Sequence, residues 1–214
     1  AGAYARVTGG LAVLTTIPGP GFTFALTGLA EAQADSAAVL YLALTVNRAS
    51  RPFTLQLLPQ REIAGHLSKR VLVAETADEL GPKIREAAVL ATSGEPGPVL
   101  VDIASELLRA EVTAPAGKGS VMPGASPDFG VLEERLADAR RPLFFLGQGA
   151  RPARAEILGY AEAGRVPITT TCSGRGIVPE THLLVLYRDF SFGIGKALPA
   201  AIDAADLVVA VGCK

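Results

Sequence analysis

The sequence holds only two cysteines, Cys172 and Cys213, and two histidines, His66 and His182, in 214 residues. A disulfide scaffold is therefore excluded. Each cysteine sits in or beside an apolar strand-like segment, which predicts a small buried hydrophobe rather than a reactive thiol. Neither histidine has Cys, Asp or Glu partners at ligand spacing, so no metal centre is assigned within the chain. Asp35, Ser36 and His66 suggest a hydrolase triad only in name, because no nucleophile elbow surrounds the serine. Charge imbalance is missing too. A net charge of −1 leaves no electrostatic footprint for nucleic acid or for an anionic membrane. The longest apolar runs, such as residues 37–46, reach about ten residues, too few to span a bilayer. No charged segment with a cleavage site precedes an apolar stretch, so the expected compartment is the cytoplasm.

What is present is a strongly apolar α/β pattern. Hydrophobic residues make up 49% of the chain, enough for one large core or two modest ones. Apolar strand-like runs at 11–16, 39–46, 71–74, 98–103, 143–146, 166–171 and 207–211 alternate with helical patterns at 22–33, 78–92, 129–139, 150–162 and 194–204. Residues 47–68 read as irregular, with Pro52 and Pro59 as breakers. Thr76, with Glu79 three residues on, predicts a capping box for the helix that starts at 78. Residues 110–127 are rich in Gly, Pro, Ser and Ala without periodicity and form the linker candidate. The expected fold is α/β, with two parallel-sheet layers covered by helices on both faces. The ends are abrupt. Residues 1–6 read as the last turns of a helix without a start, and the strand near 206–211 stops where a loop should begin, so both layers are expected to be incomplete.

Two glycine turns carry the candidate chemistry. Gly19-Pro20-Gly21 lies between a strand and a helix. Its glycines allow backbone conformations closed to other residues and close approach of a ligand or a neighbouring chain, and the helix start offers free N–H groups. A tight turn of any parallel α/β protein is the other reading. No Gly-Lys-Ser/Thr follows, so this is not a P-loop. Gly147-Gln148-Gly149 also follows a strand and opens a helix. It has two glycines of a dinucleotide fingerprint and lacks the third, which leaves a nucleotide site and simple turn chemistry both open.

The ordered set of motifs is more specific than either turn. Ala3-Tyr4-Ala5-Arg6 with Thr8-Gly9, then Gly19-Pro20-Gly21, then Gly28-Leu29-Ala30 with Ala32 and Asp35-Ser36, resemble the pyrimidine-binding domain of thiamine-diphosphate-dependent enzymes of the acetolactate synthase type. Residues 93–102 resemble the last strand of that domain. Arg141-Pro142 with Gly147 and Gly149-Ala150, then Thr169-Thr170-Thr171 with Gly174-Arg175-Gly176, and then residues 205–212, resemble the Rossmann-like central domain. The resemblance implies a partial pyrimidine-binding domain at 1–109, a linker at 110–127 and a partial central domain at 128–214.

It also implies a parent protein that acts as a 2-oxo acid carboligase or decarboxylase with thiamine diphosphate and Mg2+, as a homo-oligomer (dimer or tetramer). The protein positions the cofactor and the cofactor carries the chemistry. Gly19, Pro20, Gly21 and Phe24 would face thiamine diphosphate. Gln56 and Lys69 match substrate-side positions. Gly147, Gly149, Thr171, Cys172 and Ser173 match the flavin side of the central domain, and FAD stays open because many relatives keep the fold without flavin. No catalytic residue and no metal ligand is assigned, since the family's activating Glu falls upstream of Ala1 and its Gly-Asp-Gly metal motif downstream of Lys214. The chain alone is therefore expected to be inactive and, with uncovered apolar edges, to associate. Phe24 stands where the family usually has Asn, Ala38 where it often has Pro, Leu44-Thr45 for Gly-Gln, and Leu55-Gln56-Leu57 for Phe-Gln-Glu. These departures suit a divergent member with another 2-oxo acid or acyl substrate. The alternative is a non-catalytic FAD- or ADP-binding or assembly module.

Overall fold

A computed structural model describes residues 1–112, 128–186 and 197–214. The chain divides into two compact units, Ala1–Ala125 and Ser126–Lys214. Most of the linker candidate lies outside the described residues.

In the first unit the elements are α1 (Gly2–Thr8), β1 (Ala12–Thr16), α2 (Pro20–Ala34), β2 (Val39–Thr45), α3 (Gln60–Gly65), β3 (Arg70–Val73), α4 (Ala77–Thr92) and β4 (Pro98–Ala104). The four strands form one parallel sheet in the order β1-β2-β4-β3. All seven residues of β4 are buried, because side chains of a central parallel strand meet helices on both faces. Tyr41, Ala43 and Leu100 pack with Phe22 and Leu29 of α2 and Ala64 of α3. Leu40, Val99, Val101 and Ile103 pack with Ala87 and Ala91 of α4. Burying each larger aliphatic side chain contributes about 1.5–3 kcal/mol. The edge strand β1 departs from the expected buried run: Ala12 is buried but Val13 is 59% exposed, and exposure alternates along the strand, so the face that carries Val13 and Thr15 is left uncovered.

Two local expectations fail in this unit. The irregular stretch at 47–68 contains α3, whose six residues are too few to show a helical period in the sequence. Thr76 takes the N-cap position of α4 without a side-chain bond, and Glu79 instead accepts the Glu75 N–H at 2.8 Å, so the capping box is replaced by a single reach-back contact.

The second unit holds α5 (Gly130–Asp138), β5 (Pro142–Leu146), a 3-10 turn at Gln148–Ala153, α6 (Arg154–Gly164), β6 (Ile168–Thr170), α7 (Ala197–Ala204) and β7 (Leu207–Val211). Its parallel sheet runs β6-β5-β7. Phe144, Leu146, Ala161, Val166, Ile168 and Val178 belong to its core. Both cysteines are exposed, contrary to expectation. Cys172 falls in the turn beyond β6 and Cys213 in the turn beyond β7, so neither points into the sheet as a strand residue would. Among the described residues, no helix is long and apolar enough to cross a membrane.

Candidate functional site

In a parallel sheet every strand points the same way, so the loops that leave the C-terminal strand ends share one edge. In the first unit that edge gathers the turn after β1, the loop after β2 and the start of α3. Gly19 has φ 65° and ψ −110°, a conformation open to glycine alone, and it caps α2. Its N–H donates to Oε1 of Gln60 at 3.0 Å, and Nε2 of Gln60 donates to the Leu44 carbonyl at 3.0 Å. A Cβ at Gly19 would lie 2.7 Å from the Cα of Gln56, and one at Gly21 would lie 2.7 Å from Cγ1 of Ile17. The fold thus brings Gly19 and Gln56 together across 37 positions of sequence. The backbone at Gln56 is itself at φ 70°, and that at Phe53 at φ 66°, both costly for residues with a side chain.

The turn is anchored on either side. Thr16 Oγ1 and the Tyr41 hydroxyl share a hydrogen bond of 2.6 Å, and the Tyr41 ring stacks on Phe22 with centroids 6.2 Å apart. Burial pushes the Tyr41 hydroxyl above its ordinary pKa, and the bond to Thr16 pulls it partly back. Arg61, next to Gln60, pairs with the buried Asp102 of β4. Around this edge the surface is apolar: Phe24 is 86% exposed and Leu55 85% exposed.

Lys69 does not join this group. It precedes β3, at the N-terminal ends of the strands, so a strand length separates it from the Gly19 turn, about 13–23 Å at 3.3 Å per residue. Its ammonium donates to the carbonyls of Leu90 and Ser93 at 2.6 Å each and of Glu95 at 2.8 Å. These lie at and just beyond the C-terminus of α4, where helical carbonyls lack partners. Burial lowers the Lys69 pKa and the Glu95 carboxylate opposes that shift. Ser36, at φ 50°, donates to Glu95 at 2.7 Å, and Asp35 pairs with Arg6. His66 closes α3, so these residues form no triad.

In the second unit the candidate residues gather at the C-terminal strand edge, and they fill one another's space. Gly147 N–H donates to the Val211 carbonyl at 2.8 Å and Gly149 N–H to the Gly212 carbonyl at 3.1 Å. A Cβ at Gly147 would stand 2.1 Å from the Gly212 oxygen, and one at Gly174 would stand 2.3 Å from the Leu146 oxygen. Thr171 N–H donates to Leu146 at 2.9 Å, and Oγ1 of Thr171 accepts the Gly174 N–H at 3.0 Å. The order β6-β5-β7 places the two neighbours of β5 on opposite sides, the kind of switch point at which open α/β sheets receive ligands. Cys172 is exposed in the turn after β6. His182 is not isolated: Nε2 lies 3.1 Å from Glu162, and Nδ1 accepts the Leu184 N–H, which makes Nε2 the protonated nitrogen of the neutral ring. No group of three His, Cys, Asp or Glu side chains that could hold a metal occurs among the described residues.

Sequence reasoning missed Gln60, Gly174 and Gly212 as turn-defining residues. Gly212 follows an apolar strand as Gly147 does, and that parallel was a usable signal. Gln60 gave none beyond following Pro59.

Known proteins align with both units. The description thiamine pyrophosphate enzyme, N-terminal TPP binding domain, matches residues 1–68. The description thiamine pyrophosphate enzyme, central domain, matches residues 131–214. The chain is similar to an acetolactate synthase of Mycobacterium leprae, 29% identical over 226 residues, covering 100% of this chain and 36% of that protein. It is 32% identical over 228 residues to an acetolactate synthase large subunit of Parasynechococcus marenigrum, again covering 100% and 36%. With acetolactate synthase 1, chloroplastic, of Zea mays, it shares 30% identity over 224 residues, covering 100% and 35%. The chain therefore spans about a third of the length of these relatives.

Proposed function

Since the chain belongs to the thiamine pyrophosphate enzyme family, we propose that it is the cofactor-facing and central portion of a thiamine-diphosphate-dependent 2-oxo acid carboligase or decarboxylase, acetolactate synthase-like. The observation that carries this reading is the turn at Gly19 to Gly21, set against Gln56 at the C-terminal strand edge. When bound, the cofactor supplies a carbanion equivalent that adds to a 2-oxo acid. The chain's own residues would receive its pyrimidine ring. Such a ring has apolar faces and a polar edge, and this edge of the sheet offers both. Gly19, Pro20 and Gly21 form the turn this reading assigns to the ring. At Gly19 and Gly21 the place of a Cβ is already held by Gln56 and Ile17, so a side chain there would displace the turn, and Phe24 presents an exposed apolar face. Gln56 is the polar group this reading assigns to the substrate side.

The reading assigns residues 1–109 to a pyrimidine-binding domain and 128–214 to a central domain. It assigns the diphosphate, Mg2+ and proton-transferring groups to other parts of the protein. The parent would be a homo-oligomer, the compartment the cytoplasm, and the substrate a 2-oxo acid or acyl donor. For the second unit the reading keeps FAD at Gly147, Gly149 and Thr171 to Ser173. The amides of Gly147 and Gly149 already donate within the protein, and Gly212 holds the space beside both glycines, so on this reading they shape the turn rather than donate hydrogen bonds to a phosphate. Calorimetry of the full-length protein with thiamine diphosphate and Mg2+, run beside a 2-oxo acid consumption assay, tests the main reading. Absence of both binding heat and consumption sinks it. Bound FAD or ADP without turnover would favour the non-catalytic module.

A further inference from the structure

Gln60 is 2% exposed, yet its primary amide carries donors and an acceptor that must be satisfied inside the protein. It meets that demand at two separate places: Oε1 takes the Gly19 N–H at 3.0 Å and Nε2 gives to the Leu44 carbonyl at 3.0 Å. An N–H and a C=O cannot exchange roles, so these partners dictate which way the amide faces. One side chain from α3 therefore joins the turn after β1 to the end of β2. Gly19 needs such a tie. Its φ of 65° and ψ of −110° persist only where neighbours impose them, because glycine has many cheaper alternatives. Without the tie the Gly19 N–H is a buried donor with no partner, and the turn relaxes to find one.

We propose that Gln60 is a positioning residue: by bonding the Gly19 amide and the Leu44 carbonyl together, it holds the 19–21 turn in the shape that receives the pyrimidine ring of thiamine diphosphate. This inference rests on the function proposed above and adds the side chain that sets the turn. A turn that populates the receiving shape only part of the time weakens ligand affinity by that fraction.

The test uses the full-length protein with Gln60→Leu and Gln60→Glu. It measures the thiamine diphosphate Kd by calorimetry across pH, and amide exchange at Gly19 by NMR. Gln60→Leu is expected to weaken binding about tenfold at every pH, the equivalent of one lost net hydrogen bond. Gln60→Glu is the conservative rescue. Protonated, its hydroxyl donates to Leu44 while its carbonyl oxygen accepts from Gly19, so binding is near normal at acid pH. Ionised, it sets a carboxylate oxygen against the Leu44 carbonyl, and affinity falls as pH rises. A side chain needed only for packing would shift the thermal midpoint of both variants without that pH-dependent Kd. Wild-type affinity in both variants overturns the proposal. If Gln60→Leu does not fold, the pH profile of Gln60→Glu decides: a flat profile overturns it. If the unaltered protein binds no thiamine diphosphate, the proposed function falls, and Gly19 exchange separates the two ideas. Faster exchange in either variant sustains the tie, whereas unchanged exchange removes it.

Discussion

The turn after β1 and the turn after β5 occupy equivalent places in their units, and they are held by different means. In the second unit, backbone rests on backbone. The oxygen of Gly212 stands where a Cβ of Gly147 would be, and the Leu146 oxygen where one of Gly174 would be. In the first unit, backbone also meets backbone where Gly19 approaches the Cα of Gln56, but the turn leans on side chains as well: the amide of Gln60 from α3 and, within the turn itself, Cγ1 of Ile17. A backbone contact cannot yield without moving a strand, whereas a side chain can rotate. The second turn is therefore closed by backbone alone. The first can give way at Ile17 and depends on the Gln60 side chain, and it exposes apolar groups, which suits a surface that meets a ligand.

Substitutions that add one methyl group probe this difference. Gly147→Ala should have the largest effect, because its Cβ would stand 2.1 Å from a backbone oxygen. We expect a loss above about 4 kcal/mol, enough to unfold the second unit. Hydrogen exchange resolved by peptide would show residues 142–170 unprotected and residues 39–45 still protected. Retained protection in both would break the contrast. Gly19→Ala should cost about 2–3 kcal/mol through the combined strain of its φ and its approach to Gln56. Gly21→Ala, which meets Cγ1 of Ile17, should cost nearer about 1 kcal/mol. Urea unfolding of the pair checks the order, and equal losses would mean that Ile17 cannot give way.

Lys69→Met should cost less than Gly19→Ala, about 1–2 kcal/mol. It removes three donated bonds, but water can replace some of them at a partly exposed helix end. Because Lys69 sits at the opposite strand ends from Gly19, its loss should lower stability without changing ligand affinity at the Gly19 turn. A changed affinity would tie the two ends of the sheet together.

The strands and most helices were legible because buried parallel strands are continuous apolar runs and helices alternate with them. The edges were less so. Val13 looks like a core residue in the sequence, and only the structure shows that the face of β1 it shares with Thr15 is uncovered. α3 is too short to declare itself, and with it went Gln60, whose partners lie 41 and 16 positions away. The glycine turns were visible as turns. That Gly147 and Gly149 face Gly212 was not, since strand order alone places β7 beside β5. The cysteines misled for a related reason: an apolar neighbourhood in sequence includes the turn just past the strand, where side chains leave the sheet.

The smallest effect concerns the start of β7. The Asp206 carboxylate accepts the N–H groups of Arg141 and Arg140 at 2.9 Å each, and so joins the segments that lead into β5 and β7. The Arg141 N–H holds its pKa below the ordinary carboxylate value, desolvation works against that, and the Arg140 N–H adds to the lowering. A depressed folded-state pKa means that the unfolded chain binds more protons in the acid range. The contribution is therefore present above the unfolded pKa and lost as pH falls through the folded one. Glu180, lowered chiefly by its hydrogen bonds from Arg175, acts with the same sign in the same unit. Asp206→Asn should accordingly flatten the acid limb of the second unit's stability and leave a residual slope from Glu180. Adding Glu180→Gln should flatten it further. Thermal unfolding between neutral pH and pH ~3, about the span over which carboxylates titrate, measures both changes. An acid limb as steep in the double variant as in the unaltered chain would show that the strand-end carboxylate contributes nothing to this unit's pH response.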